Sequence, residues 1–153
     1  MNVDTYAMLF QYNSYSINAN TENITHEESL RDPGPGGNCI NWVLGHIVSY
    51  RNDILELLGA EPAIDKEKSE PYLRGTGPLE GAAAVDSDEL LSLLKKSQEV
   101  LDGRLKEMKG DDLDKPAGDK TVGARLAFLQ FHETYHAGQL GVLRRILGKK
   151  GAI

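Results

Sequence analysis

Cysteine, basic residues and long apolar runs are all scarce in this sequence, and each shortage excludes a class of protein. The 153 residues contain one cysteine, Cys39, which rules out an internal disulfide and fits a reducing compartment. No stretch approaches the ~18 apolar residues that cross a bilayer. The first 30 residues place no basic segment ahead of an apolar run. We therefore expect no membrane association, signal peptide or lipid anchor, and we predict a cytoplasmic protein.

The charge balance is acidic, with 17 Lys and Arg residues against 23 Asp and Glu residues and a formal net charge of −6. No broad positive field exists to hold a phosphate backbone, so nucleic acid is not an expected partner. A small basic cluster closes the last predicted helix, where cations favour the negative end of the helix dipole, and we interpret it as capping. Its members are Arg144, Arg145, Lys149 and Lys150.

The length and an average composition, 40% hydrophobic and 26% charged, predict a single globular domain over residues 1–153. Internal repeats and alternating strand patterns are missing, so the chain is predicted to be all-α. Hydrophobic periodicity predicts four helices. They cover about Val3–Asn20, Asn38 as N-cap to about Leu58, Asp86 or Ser87 to about Met108, and Thr121 as N-cap to about Leu147.

The connection between the second and third predicted helices is unusually long. Residues 60–85 hold three of the six prolines and show no sustained periodicity, so we predict an irregular connection. A helix of ~20 residues is ~30 Å long, and this segment can traverse that length. The second and third helices are therefore predicted to be parallel neighbours. Asp86 or Ser87 with Glu89 resembles a capping box, and residues 109–120 are predicted to be a turn-rich loop.

The last predicted helix is apolar on two faces. One stripe has alternating spacings of four and three, typical of a bundle seam, and includes Glu133 and His136 among its leucines. The second stripe lies on roughly the opposite side and consists of Phe128, Phe131, Tyr135, Val142 and Ile146. Either the first helix or the long connection covers this second stripe, or a homodimer forms through the helix.

Three histidines form the candidate metal site. His132 and His136 are one helical turn apart, so their rings project from the same side and can bind a single ion. His46 lies ~12 Å from the start of its helix and His136 ~16 Å from the end of its own. If these helices are antiparallel neighbours, the three imidazoles reach nearly the same level. Three histidine ligands leave positions open for water or substrate, as in catalytic sites.

The alternative is that each histidine is a core residue with a backbone or carboxylate partner. Against this, His132, Glu133 and His136 together interrupt a leucine-rich stripe, and unsatisfied burial costs ~1–3 kcal/mol for each polar group. A metal would compensate them all at once. His26, in a polar stretch, is predicted to be a surface residue.

The segment His132-Glu133-Thr134-Tyr135-His136 also matches H-E-x-x-H, in which two histidines bind zinc and the glutamate is the general base of a peptidase. None of the 17 residues after His136 is His, Asp or Glu, so a downstream third ligand is missing. Peptidase activity is therefore a remote alternative. Glu133 remains a predicted catalytic base, or a partner that supports the ligands.

Two segments, Asn41-Trp42-Val43-Leu44-Gly45-His46 and Phe131 to Leu140, resemble the DinB-like (DinB/YfiT) superfamily of metal-dependent proteins. The resemblance implies a four-helix bundle with a long crossover between the second and third helices, in up-down-down-up order. It implies metal ligands at His46, His132 and His136, and zinc, nickel or another divalent ion. It also implies frequent homodimers, and stress-related or thiol-cofactor chemistry in a few members.

Two functional hypotheses follow. In the first, the chain is an enzyme whose ion activates water or a low-molecular-weight thiol for hydrolysis or transfer to an electrophilic small molecule, with Glu133 and Tyr135 as proton-handling candidates. In the second, the chain is a binding bundle without catalytic activity, in which the metal at most stabilises the fold. Cys39 is either a reactive thiol at a helix start or, more often for a lone cysteine, a small buried hydrophobe.

Overall fold

The computed structural model describes residues 1–76 and 78–153. Four long helices dominate it: α1 (Val3–Thr21), α3 (Ile40–Leu57), α5 (Ser87–Glu107) and α6 (Val122–Ile146). Two single-turn helices, α2 (His26–Ser29) and α4 (Lys66–Ser69), lie in the connections. The predicted all-α fold is confirmed, and the four predicted helices agree with the long ones to within about two residues at each end.

The helix starts follow from their capping residues. Thr121 caps α6 as predicted, with its side chain accepting from the backbone N–H of Ala124. For α3 the prediction was wrong, because the N-cap is Cys39 and not Asn38. The backbone N–H of Trp42 points at Cys39 Sγ, 3.5 Å away. Tertiary packing overrides the capping preference here, since the first helical residue, Ile40, is buried in the core.

The start of α5 also differs in detail from the predicted capping box. Asp86 is the N-cap, and its side chain accepts from the backbone N–H of Asp88. Glu89 instead forms an ion pair with Lys68 at 2.6 Å, which ties α5 to α4. A capping box that was not predicted forms at α2, where Thr25 and Glu28 exchange side-chain to backbone hydrogen bonds.

The long helices pack in up-down-down-up order. Tyr6 near the start of α1 donates to the backbone oxygen of Gly123 near the start of α6, at 2.7 Å. Asn20 near the end of α1 accepts from Arg144 near the end of α6, so these two helices are parallel. The early parts of α3 and α5 share one apolar cluster and their late parts share another, so they are also parallel. The predicted crossover between them is therefore confirmed.

The core consists of two apolar clusters with polar side chains between them. The first cluster includes Ile17, Leu44, Leu94 and Leu140, and the second includes Phe10, Ile54, Leu101 and Leu129. On each long helix, a polar side chain that hydrogen-bonds to another long helix lies between members of the two clusters. These residues, Asn13, Arg51, Gln98 and Glu133, form what we call the central polar layer.

The connections are more regular than predicted. Residues 60–85 contain α4 and two short 3₁₀ segments, Glu70–Tyr72 and Gly81–Ala83, in place of a wholly irregular chain. The loop at 109–120 contains a 3₁₀ segment, Gly110–Asp114, and a two-stranded antiparallel ladder of β1 (Pro116–Ala117) and β2 (Lys120–Thr121). With two residues in each strand, this ladder is too short to produce an alternating pattern in the sequence. Gly77 of the predicted connection lies outside the described residues.

The outer face of α6 is open to solvent. Its apolar side chains are more than half exposed, and neither α1 nor the long connection covers them. They are Phe128, Phe131, Tyr135, Val142 and Ile146. Among the described residues, no helix is long and apolar enough to span a membrane.

Candidate metal centre

Three imidazole rings meet in the groove between the antiparallel helices α3 and α6. His46 projects from α3, and His132 and His136 project from successive turns of α6. His132 Nε2 lies 3.3 Å from His46 Nε2 and 3.2 Å from His136 Nε2. The donor atoms of all three residues lie within 4.8 Å of one another. The structure thus brings together the three histidines that the sequence singled out.

The far nitrogens of two of these rings are held by hydrogen bonds. His46 Nδ1 lies 2.6 Å from the backbone oxygen of Tyr72, in the connection between α3 and α5. His136 Nδ1 lies 2.7 Å from the side-chain oxygen of Gln139, three residues further along α6. Both oxygens only accept, so both Nδ1 atoms carry the proton in the neutral ring. The Nε2 lone pairs of His46 and His136 therefore face the centre of the group.

This donor set fits a metal ion better than it fits hydrogen bonding within the protein. A neutral His132 has at most one Nε2 proton and can satisfy one of the two facing lone pairs, but not both. A cation can accept all three lone pairs. Two nitrogen ligands of a tetrahedral zinc ion, with bonds of ~2.0–2.1 Å, are separated by ~3.3 Å. The observed Nε2 separations of 3.2 and 3.3 Å match that spacing.

Burial keeps the three imidazoles neutral. It lowers the pKa of His132 to about 4, and repulsion from His136 and His46 adds to the shift. The pKa of His46 is lowered by burial although the Tyr72 carbonyl opposes the shift. The pKa of His136 is lowered for the same reason, against its bond to Gln139. All three are unprotonated at neutral pH, which is the state that binds metals.

Aromatic rings pack against the histidine group. Trp42 stacks on His46 with ring centroids 4.6 Å apart, and Tyr50 lies 4.0 Å from His132. His46 and His136 are buried whereas His132 is half-buried, so the group is reached from the His132 side. Among the described residues, no cysteine or carboxylate joins the three histidines. An ion held there keeps open coordination positions.

A groove of about 330 Å³ lies further along α3 and α6. It is lined by Gln139, by apolar side chains that include Val43 and Val142, and by the loop at residues 33–38. Gln139 thus contacts both this groove and the ring of His136.

Glu133, the predicted base, lies in the central polar layer. Its carboxylate accepts from Arg51 Nε at 2.5 Å and from Arg51 Nη2 at 2.8 Å, and Asn13 Nδ2 lies 3.2 Å from Oε1. Both side chains of the ion pair are almost fully buried. A metal was expected to compensate Glu133 together with the histidines, but Arg51 compensates it instead.

The remaining predicted residues lie outside the histidine group. His26 is half-buried and lies 3.2 Å from Ser87 Oγ, rather than free on the surface. Tyr135 is exposed, with its ring edge-on to His136 at 5.1 Å. Burial raises the pKa of the Cys39 thiol, which disfavours the reactive thiolate. In the basic cluster, Arg144 donates to the backbone oxygen of Glu22 and Lys149 to that of Asn23.

Three important residues escaped prediction: Tyr72, Gln139 and Arg51. The Tyr72 carbonyl carries no side-chain signal, and its position depends on the path of the long connection. Gln139, three residues after His136, was a detectable signal because residues at that spacing are neighbours on a helix. Arg51 was detectable as a cation inside an apolar helix, where burial requires a partner.

The chain forms a helical bundle in up-down-down-up order, with a long crossover and a cluster of three histidines between its second and fourth long helices. These features define a class of four-helix proteins with a candidate metal site between two helices. The chain belongs to the DinB superfamily, whose family model matches residues 16–140. The resemblance noted in the sequence is thereby confirmed.

A solved structure supports the fold. The chain is similar to a conserved protein of Enterococcus faecalis known from a crystal structure, with a TM-score of 0.77 and 18% sequence identity. The similarity covers 97% of this chain and 99% of that one. At this level of identity it shows the shared fold alone. No curated protein matches the chain significantly.

Proposed function

We propose that the chain is a metalloprotein that holds one divalent ion, zinc or nickel, through His46, His132 and His136. The observation that carries this proposal is the convergence of three Nε2 atoms, two of them with lone pairs oriented by hydrogen bonds to Tyr72 and Gln139. Imidazole ligands suit both of these metals.

The proposed activity is that of an enzyme acting on water or a low-molecular-weight thiol, for hydrolysis or transfer to an electrophilic small molecule. A divalent ion bound by three imidazoles supplies Lewis-acid chemistry, which lowers the pKa of a water or thiol ligand. The chain leaves access on the His132 side, and the groove beyond Gln139 has the volume for a small molecule. Tyr135 is the exposed proton-handling candidate beside His136.

Two alternatives are weighed against this proposal. A bundle in which the metal only stabilises the structure is consistent with the extensive apolar clusters, which pack without any ion. A peptidase of the H-E-x-x-H type gains no support, because both carboxylate oxygens of Glu133 accept hydrogen bonds from buried partners.

Metal content tests the binding proposal. The protein is purified without a chelating tag, and bound metal is measured by mass spectrometry in the parent and in His46→Ala and His136→Ala. We expect near-stoichiometric metal in the parent and its loss in both variants. The matched control is His26→Ala, which removes a histidine outside the group and should retain the metal. A parent without bound metal would refute the proposal.

Turnover tests the enzymatic proposal. The metal-loaded protein is incubated with small thiols and electrophiles, and thiol consumption is followed. We expect a rate that disappears in His132→Ala. If metal is bound but no thiol transfer or hydrolysis occurs across the panel, the metal-stabilised alternative is favoured.

We also propose a homodimer through the outer face of α6, defined by Phe128, Phe131, Tyr135, Val142 and Ile146. This proposal is supported by the exposure of five large apolar side chains on one helix face. Sedimentation velocity should show a dimer that Phe131→Glu dissociates. The control Met8→Glu changes an exposed apolar residue on α1 and should leave the dimer intact. A monomeric parent would contradict the proposal.

A further inference from the structure

We propose that the ion pair between Glu133 and Arg51 is a positioning device, which sets the register of α6 against α3 and thereby holds the three imidazoles at ligand distance. Glu133 is then a positioning residue and not the base of the H-E-x-x-H pattern. The zinc-affinity measurement described below rests on the proposed metal function. The measurement on the metal-free protein does not.

The placement of the pair along the helices carries the first step. Glu133 immediately follows His132 and precedes His136 by three residues, and Arg51 lies five residues after His46. A helix moves as a nearly rigid rod with a rise of ~1.5 Å per residue. Any slide or rotation of α6 that separates Glu133 from Arg51 therefore displaces both histidines of α6 relative to His46.

The geometry of the pair carries the second step. Arg51 uses two nitrogens on two carboxylate oxygens, Nε to Oε2 at 2.5 Å and Nη2 to Oε1 at 2.8 Å. A two-point contact between planar groups fixes both distance and orientation, which a single contact does not. The Arg51 side chain is 0% exposed and that of Glu133 4%, so water cannot replace either partner.

The neighbouring helices reinforce this contact. Gln98 on α5 accepts from Arg51 Nη2 at 2.8 Å and from Ser14 on α1, also at 2.8 Å. Asn13 on α1 donates to Glu133 at 3.2 Å. All four long helices therefore meet at the central polar layer. Arg51 Nη1 is buried and has no acceptor among the described residues. Among the same residues, Glu133 is the only carboxylate that forms an ion pair with Arg51.

Stability alone does not explain such a pair. Replacing a buried ion pair by apolar residues of similar volume is often neutral or stabilising, and the best-attested use of a buried polar group is to specify register. Apolar contacts are non-directional, so by themselves they specify the register of two helices only weakly. The polar layer between the two apolar clusters selects one register, and in that register the histidines converge.

The test uses Glu133→Gln, which keeps the shape of the side chain and removes its charge. The first readout is the set of NOE contacts between α3 and α6 in the metal-free protein. The parent should show contacts between the rings of Tyr50 and His132, whose centroids lie 4.0 Å apart, and between those of His46 and His132. The second readout is zinc affinity, measured by competition with a chelator. We expect Glu133→Gln to lose these contacts between α3 and α6 and to bind zinc ~10–100-fold more weakly, as for other residues that support metal ligands.

The matched control is Leu105→Ala, which leaves a cavity in the second apolar cluster, on a helix without ligands. It should be destabilised but keep the parent contacts between α3 and α6 and the parent zinc affinity. If Glu133→Gln does not fold, Glu133→Asp retains the charge on a shorter arm, and the same two changes are expected in smaller measure. A folded variant with the parent's contacts between α3 and α6 and the parent's zinc affinity would overturn the inference. A parent that binds no zinc would refute the proposed function, while the metal-free spectra would still decide the positioning role.

Discussion

Gly45→Ala probes the link between the long connection and the metal centre. Gly45 precedes His46, and a Cβ at this position would overlap the ring of Tyr72. Tyr72 is fully buried and cannot easily yield. Its hydroxyl donates to Asn41 at 3.0 Å and accepts from the backbone N–H of Val85 at 2.7 Å, and its carbonyl accepts from His46 at 2.6 Å.

The expected cost of Gly45→Ala follows from these contacts. Overpacking a core costs ~1–3 kcal/mol, and each weakened hydrogen bond of Tyr72 adds ~1 kcal/mol. The better helix propensity of alanine returns ~1 kcal/mol. With one of these hydrogen bonds weakened, we expect a net loss of ~1–3 kcal/mol in the free energy of unfolding. Because the carbonyl that orients His46 moves with the ring, zinc affinity should fall ~10–100-fold.

Urea unfolding and chelator competition measure the two effects. The matched control is Gly103→Ala on the exposed side of α5, a helix without ligands, where an added Cβ meets no atom within 4 Å. There the helix propensity acts alone and should stabilise the protein by ~0.5–1 kcal/mol. A Gly45→Ala protein as stable as the parent, with unchanged zinc affinity, would refute the packing of Tyr72 and its role in orienting His46.

Three further predictions concern metal removal, pH and the cysteine. Chelation should lower the melting temperature while far-UV circular dichroism stays helical, because the apolar clusters do not depend on an ion; unfolding on chelation would contradict this. The pKa of His132 is about 4 in the folded metal-free protein and ~6.5 in the unfolded chain. The unfolded chain therefore binds more protons in this range, and the stability present above pH ~6.5 should be lost as the pH falls towards 4. His132→Asn should reduce that slope in urea titrations, and an unchanged slope would contradict the assignment. Burial raises the pKa of Cys39, so its alkylation at pH ~8 should be slower than in the urea-unfolded chain; equal rates would contradict its burial.

The sequence predicted the helices well because their signals are local. The apolar spacings that predicted α6 and the cap at Thr121 are both contained within that helix. The convergence of His46 with His132 and His136 was also within reach, since their levels follow from the helical rise once α3 and α6 are antiparallel. What could not be predicted was the orientation of His46, because the carbonyl that fixes it comes from a residue 26 positions away.

The central polar layer was present in the sequence as four separate interruptions. Asn13, Gln98 and Glu133 each occupy an apolar seam near the middle of a predicted helix, and the spacing places Arg51 on the seam of Ile47, Ile54 and Leu58 in another. Taken singly, Glu133 indicated a base or a residue in need of a metal. Taken together, one polar residue at the same height on every helix indicates a shared layer, but that comparison requires the helix directions to be known first.

X-ray absorption spectroscopy of the zinc-loaded protein tests the central claim most directly, because it reports the ligand atoms around the ion. We predict three imidazole nitrogens at ~2.0–2.1 Å and one light-atom ligand from solvent. His46→Ala should remove one imidazole from that shell. A shell containing the sulfur of Cys39, or one with fewer than two imidazoles in the parent, would contradict the assignment of His46, His132 and His136 as the ligands.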